Sequence, residues 1–149
     1  MLFVILRDQH GRAYRKSYTM ASVTDVERIR RLLAEYCRFL DDRRYAEFGQ
    51  LFAPDGVWRM GGRAHHGPTE VQAFMDQLLL DHPDRRSLHM HTNVAIDVDG
   101  DTARSTSDYT MLTRTGSAPW QVLGMGRYVD RLIRHADDSW RFAERTLER

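Results

Sequence analysis

A tyrosine, two aspartates and two histidines are the residues whose types and spacing could do chemistry. Tyr36 and Asp41 lie on one predicted helix, while His89 and His91 alternate on a predicted strand. A carboxylate beside an imidazole fixes its tautomer and raises its basicity for proton abstraction. A half-buried phenol can donate a hydrogen bond to a carbonyl oxygen. Together these residues suit acid–base chemistry on a small molecule.

The two aspartates are not equivalent on the predicted helix. At 100° per residue Asp41 falls beside Cys37 at the edge of the apolar stripe, whereas Asp42 points toward water. A carboxylate at that edge loses hydration and requires a partner. An ordinary solvated aspartate near a helix end is the alternative for Asp41, and a packed core tyrosine is the alternative for Tyr36. We interpret Cys37 as a small core residue.

His89 and His91 project to the same side of a strand, so both face solvent or both face the helices. Leu88 and Met90 alternate with the two histidines and are equally suited to the inner face, so the sequence leaves open which pair points toward the helices. There is no HExxH motif, and His65 and His66 lie in a glycine-flanked loop. We therefore predict no metal site and no cofactor.

Other polar and aromatic residues extend the candidate site. We expect the stretch that ends in Trp58 to form one wall of a pocket. Five strand residues are substrate-binding candidates: His91, Asp108, Tyr128, Asp130 and Arg145. Ion pairs are the alternative interpretation for the charged ones.

Composition restricts the partners. Of the 149 residues, 42% are hydrophobic and 29% are charged, and the formal net charge is only +1. No apolar run approaches the roughly 18 residues that a membrane span needs, and the arginines are scattered. We predict one domain, no nucleic-acid partner, no membrane partner and a cytoplasmic location.

Three predicted helices precede a run of strands. Thr24 and Glu27 resemble a capping box that starts a helix of about 17 residues. A shorter helix follows at 45–52, a turn at 54–56 leads into a strand, and a third helix ends before Pro83.

From Ser87 onward the hydrophobic period is two. It predicts strands over 87–97, 101–114, 120–134 and 140–147, with an Asp99-Gly100 hairpin turn. Helices followed by antiparallel strands predict an α+β fold, with helices covering one face of a sheet.

The first residues form a predicted extension at 1–19, and the predicted domain covers 20–149. The apolar run MLFVIL is too short for a signal peptide. We expect the extension to be disordered, with an extra edge strand at Leu2–Leu6 as the alternative.

The segments YCRFLDDRRYAEFGQLFAPDGVW, HMHTNVAIDVDGD and GRYVDR resemble the SnoaL-like branch of the nuclear-transport-factor-two-like superfamily, across Thr24 to Arg145. The resemblance implies a strongly curved antiparallel sheet that wraps about three helices in a cone with a deep apolar pocket, an α+β barrel. It also implies dimerisation through the outer face of the sheet.

The resemblance also implies roles for three residues. Scytalone dehydratase and bile-acid 7α-dehydratase are similar in the first segment and carry a Tyr, an Asp and a catalytic His where Tyr36, Asp41 and His89 stand. His89 would take a proton next to a carbonyl, Asp41 would orient it, and Tyr36 would donate to the enolate oxygen. Gly124 departs from the pattern, since the dehydratases have a second histidine there.

The function hypothesis is a cofactor-independent lyase or isomerase, of dehydratase or cyclase type, that acts on a hydrophobic polyketide-like or steroid-like substrate. One alternative is the non-catalytic small subunit of an aromatic-ring-hydroxylating dioxygenase, which has a similar L-D-x-R-R-[YF] segment. Another is a binding module that leaves its ligand unaltered. We expect a small hydrophobic ligand and a homodimer.

Overall fold

The computed structural model describes residues 2–7, 11–18 and 20–148, and within them the fold is α+β. The helices are α1 (Met20–Asp41), α2 (Tyr45–Gly49) and α3 (Gly67–Asp81). The strands are β1 (Leu2–Arg7), β2 (Ala13–Tyr18), β3 (Phe52–Met60), β4 (Arg63–His66), β5 (Arg85–Asp99), β6 (Thr102–Thr115), β7 (Gln121–Arg134) and β8 (Trp140–Glu148). The three helices and the four long C-terminal strands confirm the predicted order of elements.

The main sheet has six strands in the order β4-β3-β8-β7-β6-β5. Its β3 and β8 strands run parallel, with Phe52 opposite Phe142, while the other neighbours are antiparallel. The prediction of an entirely antiparallel sheet is therefore wrong. No hairpin joins these two strands, so turn geometry did not dictate their direction. The sheet is curved, as predicted, but it stays open because its edge strands β4 and β5 do not pair, so it does not form the predicted α+β barrel.

Helix α1 begins at Met20, four residues before the predicted cap. Thr24 therefore lies inside the helix and not at its start, and the capping-box prediction is wrong. No proline or glycine occurs in residues 20–23 to stop the helix from extending. The predicted turn at 54–56 lies within β3, where the register with β8 shifts.

The loop predicted between β3 and α3 contains a further short strand, β4, which pairs with β3. Gly67 then starts α3 with φ of +68°, and a Cβ there would stand 2.8 Å from the Pro54 carbonyl oxygen. Only glycine fits both the backbone conformation and the close approach.

The core lies between the concave face of the sheet and the helices. The rings of Tyr36, Phe48, Phe52, Trp58 and Phe142 pack edge to face or tilted, with centroids 4.9 to 6.5 Å apart. All five side chains are almost fully buried. Aromatic burial of this extent provides the main stabilisation of the fold.

A buried aspartate fastens the start of α1 to the far end of the sheet. Asp25 accepts two hydrogen bonds from the Arg134 guanidinium at 2.9 and 2.7 Å, and one from Trp140 Nε1 at 3.2 Å. The hydrogen bond from Arg134 lowers the pKa of Asp25 below its ordinary value. The aspartate lies four residues before Ile29, on the apolar face of the helix, and thereby fixes how α1 crosses the sheet.

Strands β1 and β2 pair with each other as a separate two-stranded antiparallel sheet. The strand at Leu2–Arg7 therefore does not extend the edge of the six-stranded sheet. Residues 1, 8–10 and 19 of the predicted extension lie outside the described residues. The division of the chain at residue 20 stays a prediction. Within the described part of the chain, no helix is long and apolar enough to cross a membrane.

Candidate active site

A cavity lies between the concave face of the sheet, the end of α1 and helix α3. The volume of this cavity is about 90 Å³. The apolar side chains of the lining are Leu40, Trp58, Met60, Met75, Leu78, Leu79 and Met111. Its polar lining comes from Tyr36, Arg43, Tyr45, His82, Arg85, Ser87, His89, Tyr109 and Tyr128. Such a lining, in which hydrophobic and aromatic side chains together form the majority and several polar groups point inward, is typical of a small-molecule site.

Two phenols form the closed end of this cavity. The hydroxyls of Tyr36 and Tyr128 lie 3.2 Å apart, and both rings are almost fully buried. Burial raises the pKa of each phenol above its ordinary value. Both phenols are therefore neutral, one donates to the other, and one hydroxyl proton remains for a ligand atom.

A His–carboxylate pair forms the adjacent wall. His89 Nδ1 lies 2.6 Å from Asp41 Oδ1, and their side chains are only 10% and 16% exposed. A carboxylate can only accept, so in the neutral imidazole the proton lies on Nδ1 and Nε2 is unprotonated. The geometry therefore prepares Nε2 of His89 to act as a base.

The backbone of β5 holds this pair in place. The His89 N–H donates to Asp41 Oδ2 at 2.9 Å, and the Ser87 hydroxyl donates to Asp41 Oδ1 at 3.3 Å. Strand β5 is an edge strand, so some of its backbone donors have no neighbouring strand to bond. Asp41, the last residue of α1, uses one of them and thereby fixes the carboxylate against the imidazole.

His91 faces the same side as His89 but lies in a different environment. Its Nε2 accepts a hydrogen bond from Arg145 Nη2 at 3.1 Å, and its ring stacks on Tyr36 with a centroid distance of 5.6 Å. Burial, and then the charge of Arg145, lower the pKa of His91 to about 3. This imidazole is neutral at physiological pH and accepts a hydrogen bond at the edge of the core.

Arg145 lies beneath the phenol pair and not beside the cavity. Its guanidinium carbon is 4.0 Å from the Tyr36 ring centroid and 3.7 Å from that of Tyr128. Its Nε is 3.7 Å from Asp130 Oδ1, and both side chains are completely buried. Burial raises the pKa of Asp130, although Arg145 and the Ser105 hydroxyl act in the opposite direction. The pair forms a sealed internal ion pair.

Apart from Asp108, the structure places the predicted site residues in two groups. Tyr36, Trp58, Tyr128 and His89 line the cavity, and Asp41 lies directly behind His89. The core around the Arg145 guanidinium contains His91, Asp130 and Arg145 itself.

For substrate binding, the structure does not support four predicted residues, because they do not line the cavity. Asp130 and Arg145 lie beneath the phenol pair, and His91 lines a separate groove beside α1. Asp108 lies on the outer side, where its carboxylate accepts hydrogen bonds from Asn93 at 2.7 Å and Arg127 at 2.8 Å. The alternative of a surface ion pair describes Asp108 better.

Several lining residues had not been predicted. Arg85 and Ser87 alternate with His89 on β5, so the period of two already placed them on one face once His89 was taken to point inward. Arg43 could not be predicted as a lining residue, because no motif in the surrounding sequence indicates that its side chain reaches the cavity. His82, at the end of α3, likewise could not be predicted.

No three His, Cys, Asp or Glu side chains of the described residues converge where they could hold a metal ion. Cys37 faces a neighbouring groove beside α1, and burial raises the pKa of its thiol to about 12. Its thiol is therefore protonated at neutral pH, as expected of a small, partly buried side chain.

The protein has an open curved sheet, helices on its concave face and a cavity between them. It therefore belongs to the class of α+β proteins that are built around a small-molecule pocket. The chain belongs to the SnoaL-like domain family, whose model matches residues 21–146. The predicted family is therefore confirmed.

Three relatives illustrate the family and the fold. An uncharacterised Mycobacterium tuberculosis protein is 28% identical over 134 residues, which cover 88% of this chain and 89% of that protein. The structure of Rv3472, a protein of unknown function from the same organism, is 29% identical with a TM-score of 0.79, covering 86% of this chain and 73% of that one. A Catenulispora acidiphila structure in complex with S-DNPA is 24% identical with a TM-score of 0.76, covering 85% and 93%.

Proposed function

We propose that this protein is a lyase or isomerase, of dehydratase or cyclase type, that uses its own side chains on a hydrophobic cyclic ketone. The observation that carries the proposal is the 2.6 Å contact between His89 Nδ1 and Asp41 Oδ1 on the wall of an apolar cavity. A base positioned in this way contributes about 10²- to 10⁴-fold to a proton transfer.

In the proposed reaction, His89 Nε2 takes a proton from the carbon next to the substrate carbonyl. The electrons of that C–H bond form the enolate, and Asp41 stabilises the imidazolium that results. In a dehydration, the enolate then re-forms the carbonyl, the C–O bond of a β-hydroxyl breaks, and the leaving oxygen takes the proton from His89. In an isomerisation, the same proton returns to a different carbon.

The phenol pair has the complementary role of binding the enolate oxygen. The proton left over from the Tyr36–Tyr128 hydrogen bond is available to that oxygen, and the closed end of the cavity is buried. A fixed donor in such a site stabilises developing negative charge more strongly than water would. The predicted role of Tyr36 thus extends to a pair of tyrosines.

We propose a hydrophobic substrate because much of the cavity wall is hydrophobic. Trp58, Met75 and Met111 offer apolar and polarisable surface to a ring system. The S-DNPA complex of the Catenulispora protein gives an example of this fold around a small molecule. We propose a polyketide-like or steroid-like ring on these grounds.

The test uses 3-hydroxy-1-tetralone, which loses water to give fluorescent 1-naphthol. We expect the wild-type protein to accelerate this reaction and the His89→Gln variant to lose at least about 100-fold in kcat/KM. His91→Gln is the matched control, since it makes the same change two residues away on the same face of β5.

Two outcomes would contradict the proposal. One is equal turnover by the wild-type and His89→Gln proteins. The other is that the wild-type protein binds the ketone and releases it unchanged, which is the behaviour of the non-catalytic binding module.

We also propose that the protein forms a homodimer through the outer face of β5, β6 and β7. Leu88, Leu112 and Val122 stand side by side across these strands, and Met90 and Met125 lie in the next row. Several of these side chains are exposed, Val122 by 58% and Met125 by 69%. An exposed apolar patch of this kind marks an interaction surface.

The oligomeric state tests this second proposal. Light scattering after size-exclusion chromatography is expected to give twice the chain mass, and Met125→Glu to give the monomer. A monomeric wild-type protein would show that a homodimer does not form.

A further inference from the structure

The cavity has one sealed end and one end that reaches solvent. Tyr36, Trp58 and Tyr128 at the sealed end are 0 to 1% exposed. At the other end, Arg43 and Arg85 are half-buried and His82 is exposed. The charge of the lining is thus concentrated at the open end, which we call the rim.

The two rim arginines differ from those arginines of the protein that are paired with a carboxylate. Arg28, Arg59, Arg127, Arg134 and Arg141 each form an ion pair with a carboxylate. No ion pair of this kind occurs at the rim within the described residues, and no aspartate or glutamate lines the cavity. Asp41 lies one layer deeper, behind His89.

Arg43 is held at the rim by an unusual backbone. It lies two residues after the end of α1, in the left-handed region with φ of +60°, where the bonds Arg44 N–H to Phe39 O and Arg43 N–H to Leu40 O close the helix. Glycine normally occupies this position, and another residue there costs about 1 kcal/mol or more. Residues strained in this way concentrate at binding sites.

The Arg43 side chain then fixes the segment that contains Arg85. Its Nη2 donates to the carbonyl oxygens of Pro83, at 2.8 Å, and Arg85, at 2.6 Å. Arg43 therefore orders the rim, while the guanidinium of Arg85 remains available to a ligand. The positive charge of both arginines also acts on Tyr45, where it opposes the rise that burial causes in the pKa of that phenol.

We propose that the cavity binds an anionic ligand, a compact hydrophobic ring that carries a carboxylate or phosphate held by Arg85 and Arg43 at the rim. This inference rests on the proposed function, because the anionic ligand would be the substrate of the same cavity. Arginine suits the role because its planar guanidinium can donate two parallel hydrogen bonds to one carboxylate or phosphate. The ring would then reach His89 and the phenols, and the anion would stay in the partly solvated rim.

The experiment compares three probes by isothermal titration calorimetry: 2-naphthoate, 2-naphthyl phosphate and the neutral methyl 2-naphthoate. We expect the wild-type protein to bind at least one anion about tenfold or more tightly than the ester. The tighter of the two anions identifies the preferred group. Equal affinity for all three probes, or binding of none, would overturn the inference.

Arg85→Gln is expected to remove the preference for the anion, and Arg86→Gln is the matched control. Arg86 is the next residue of β5, is exposed and lines no part of this cavity. A preference that survives Arg85→Gln would contradict the assignment. In Arg85→Glu we expect the preference to reverse toward 2-naphthylmethylammonium, which shows that a folded variant responds to the sign of the charge.

The same proteins separate this inference from the proposed function. An anion preference in a protein that does not dehydrate 3-hydroxy-1-tetralone would overturn the proposed function and support the inference. Turnover of that ketone without any anion preference would do the opposite.

Discussion

His89 and His91 lie two residues apart on one face of β5, yet they belong to two different polar regions. The first region, Asp41 with His89, forms a wall of the cavity. In the second region, Asp130 and Arg145 are sealed beneath the phenol pair, and the partly buried His91 accepts a hydrogen bond from Arg145. A carboxylate partner prepares one imidazole as a base, whereas burial, and then an arginine partner, keep the other neutral.

The two histidines are of the same type, so their burial and their partners decide whether each one can take part in catalysis or contributes to stability. The cavity region has a base with a free nitrogen and modest exposure. The sealed region has an ion pair whose loss would leave a charge without compensation in the core. We expect changes in the first region to alter turnover and changes in the second to alter the free energy of unfolding.

The largest effect is expected from Arg145→Met. Removal of the guanidinium leaves the Asp130 carboxylate buried without its cation, which costs about 3 to 5 kcal/mol of unfolding free energy. Urea denaturation measures this change. The double variant Arg145→Met with Asp130→Asn is expected to recover part of the loss, because no uncompensated charge remains. A loss under about 1 kcal/mol in the single variant would show that the pair is not coupled.

The next effect concerns pH and His91. Its pKa is about 3 in the folded protein, against an ordinary value of 6.5. Above about pH 6.5 both the folded and the unfolded states are neutral at this position. Below that pH the unfolded chain binds a proton that the folded protein does not. Stability therefore falls as the pH decreases from about 6.5 toward 3, by up to about 1.4 kcal/mol per pH unit.

Urea unfolding at a series of pH values measures this slope in the wild-type protein and in His91→Gln. The variant is expected to lose the His91 contribution, so the difference between the two proteins narrows as the pH falls. Parallel pH profiles would mean that His91 is protonated as readily in the fold as in the unfolded chain.

Tyr128→Phe tests the residue that connects the two regions. The ring still stacks on Arg145, but the hydroxyl beside Tyr36 is lost. We expect a stability cost of about 0.5 to 1.5 kcal/mol for the hydrogen bond and a fall of about tenfold in turnover of 3-hydroxy-1-tetralone. Unchanged turnover would remove the phenol pair from the proposed mechanism.

The smallest change in stability is expected from Asp41→Asn. The Asn side-chain oxygen can still accept the His89 N–H bond, so the free energy of unfolding should change by less than about 1 kcal/mol. Turnover is nevertheless expected to fall, since the amide no longer stabilises an imidazolium. Thermal unfolding and steady-state kinetics on the same sample compare the two quantities. A large loss of stability would place Asp41 among the structural residues.

Much of the fold could be predicted from the sequence because its signals are local. The change to period two after Ser87 and the Asp99-Gly100 turn fixed the C-terminal strands. Gly100 has φ of +58°, as that turn requires. The parallel pairing of β3 with β8 could not be predicted, since it joins strands distant in the chain without any local turn signal.

The candidate site was predictable only in part. Helix periodicity placed Asp41 at the edge of the apolar stripe, and the family resemblance selected His89. Periodicity could not separate His89 from His91, because both lie on one face of the strand. Arg145, 54 residues further along the chain, distinguishes them in space. The left-handed backbone of Arg43 likewise depends on the completed fold.

The central claim is that Nε2 of His89 is the base of this cavity, and proton exchange tests it without any leaving group. With 1-tetralone in deuterated water, proton NMR follows the replacement of hydrogen at the carbon next to the carbonyl. We predict that the wild-type protein accelerates the exchange, that His91→Gln does so as well, and that His89→Gln does not. Exchange that persists in His89→Gln, or that is absent from the wild-type protein, would contradict the claim.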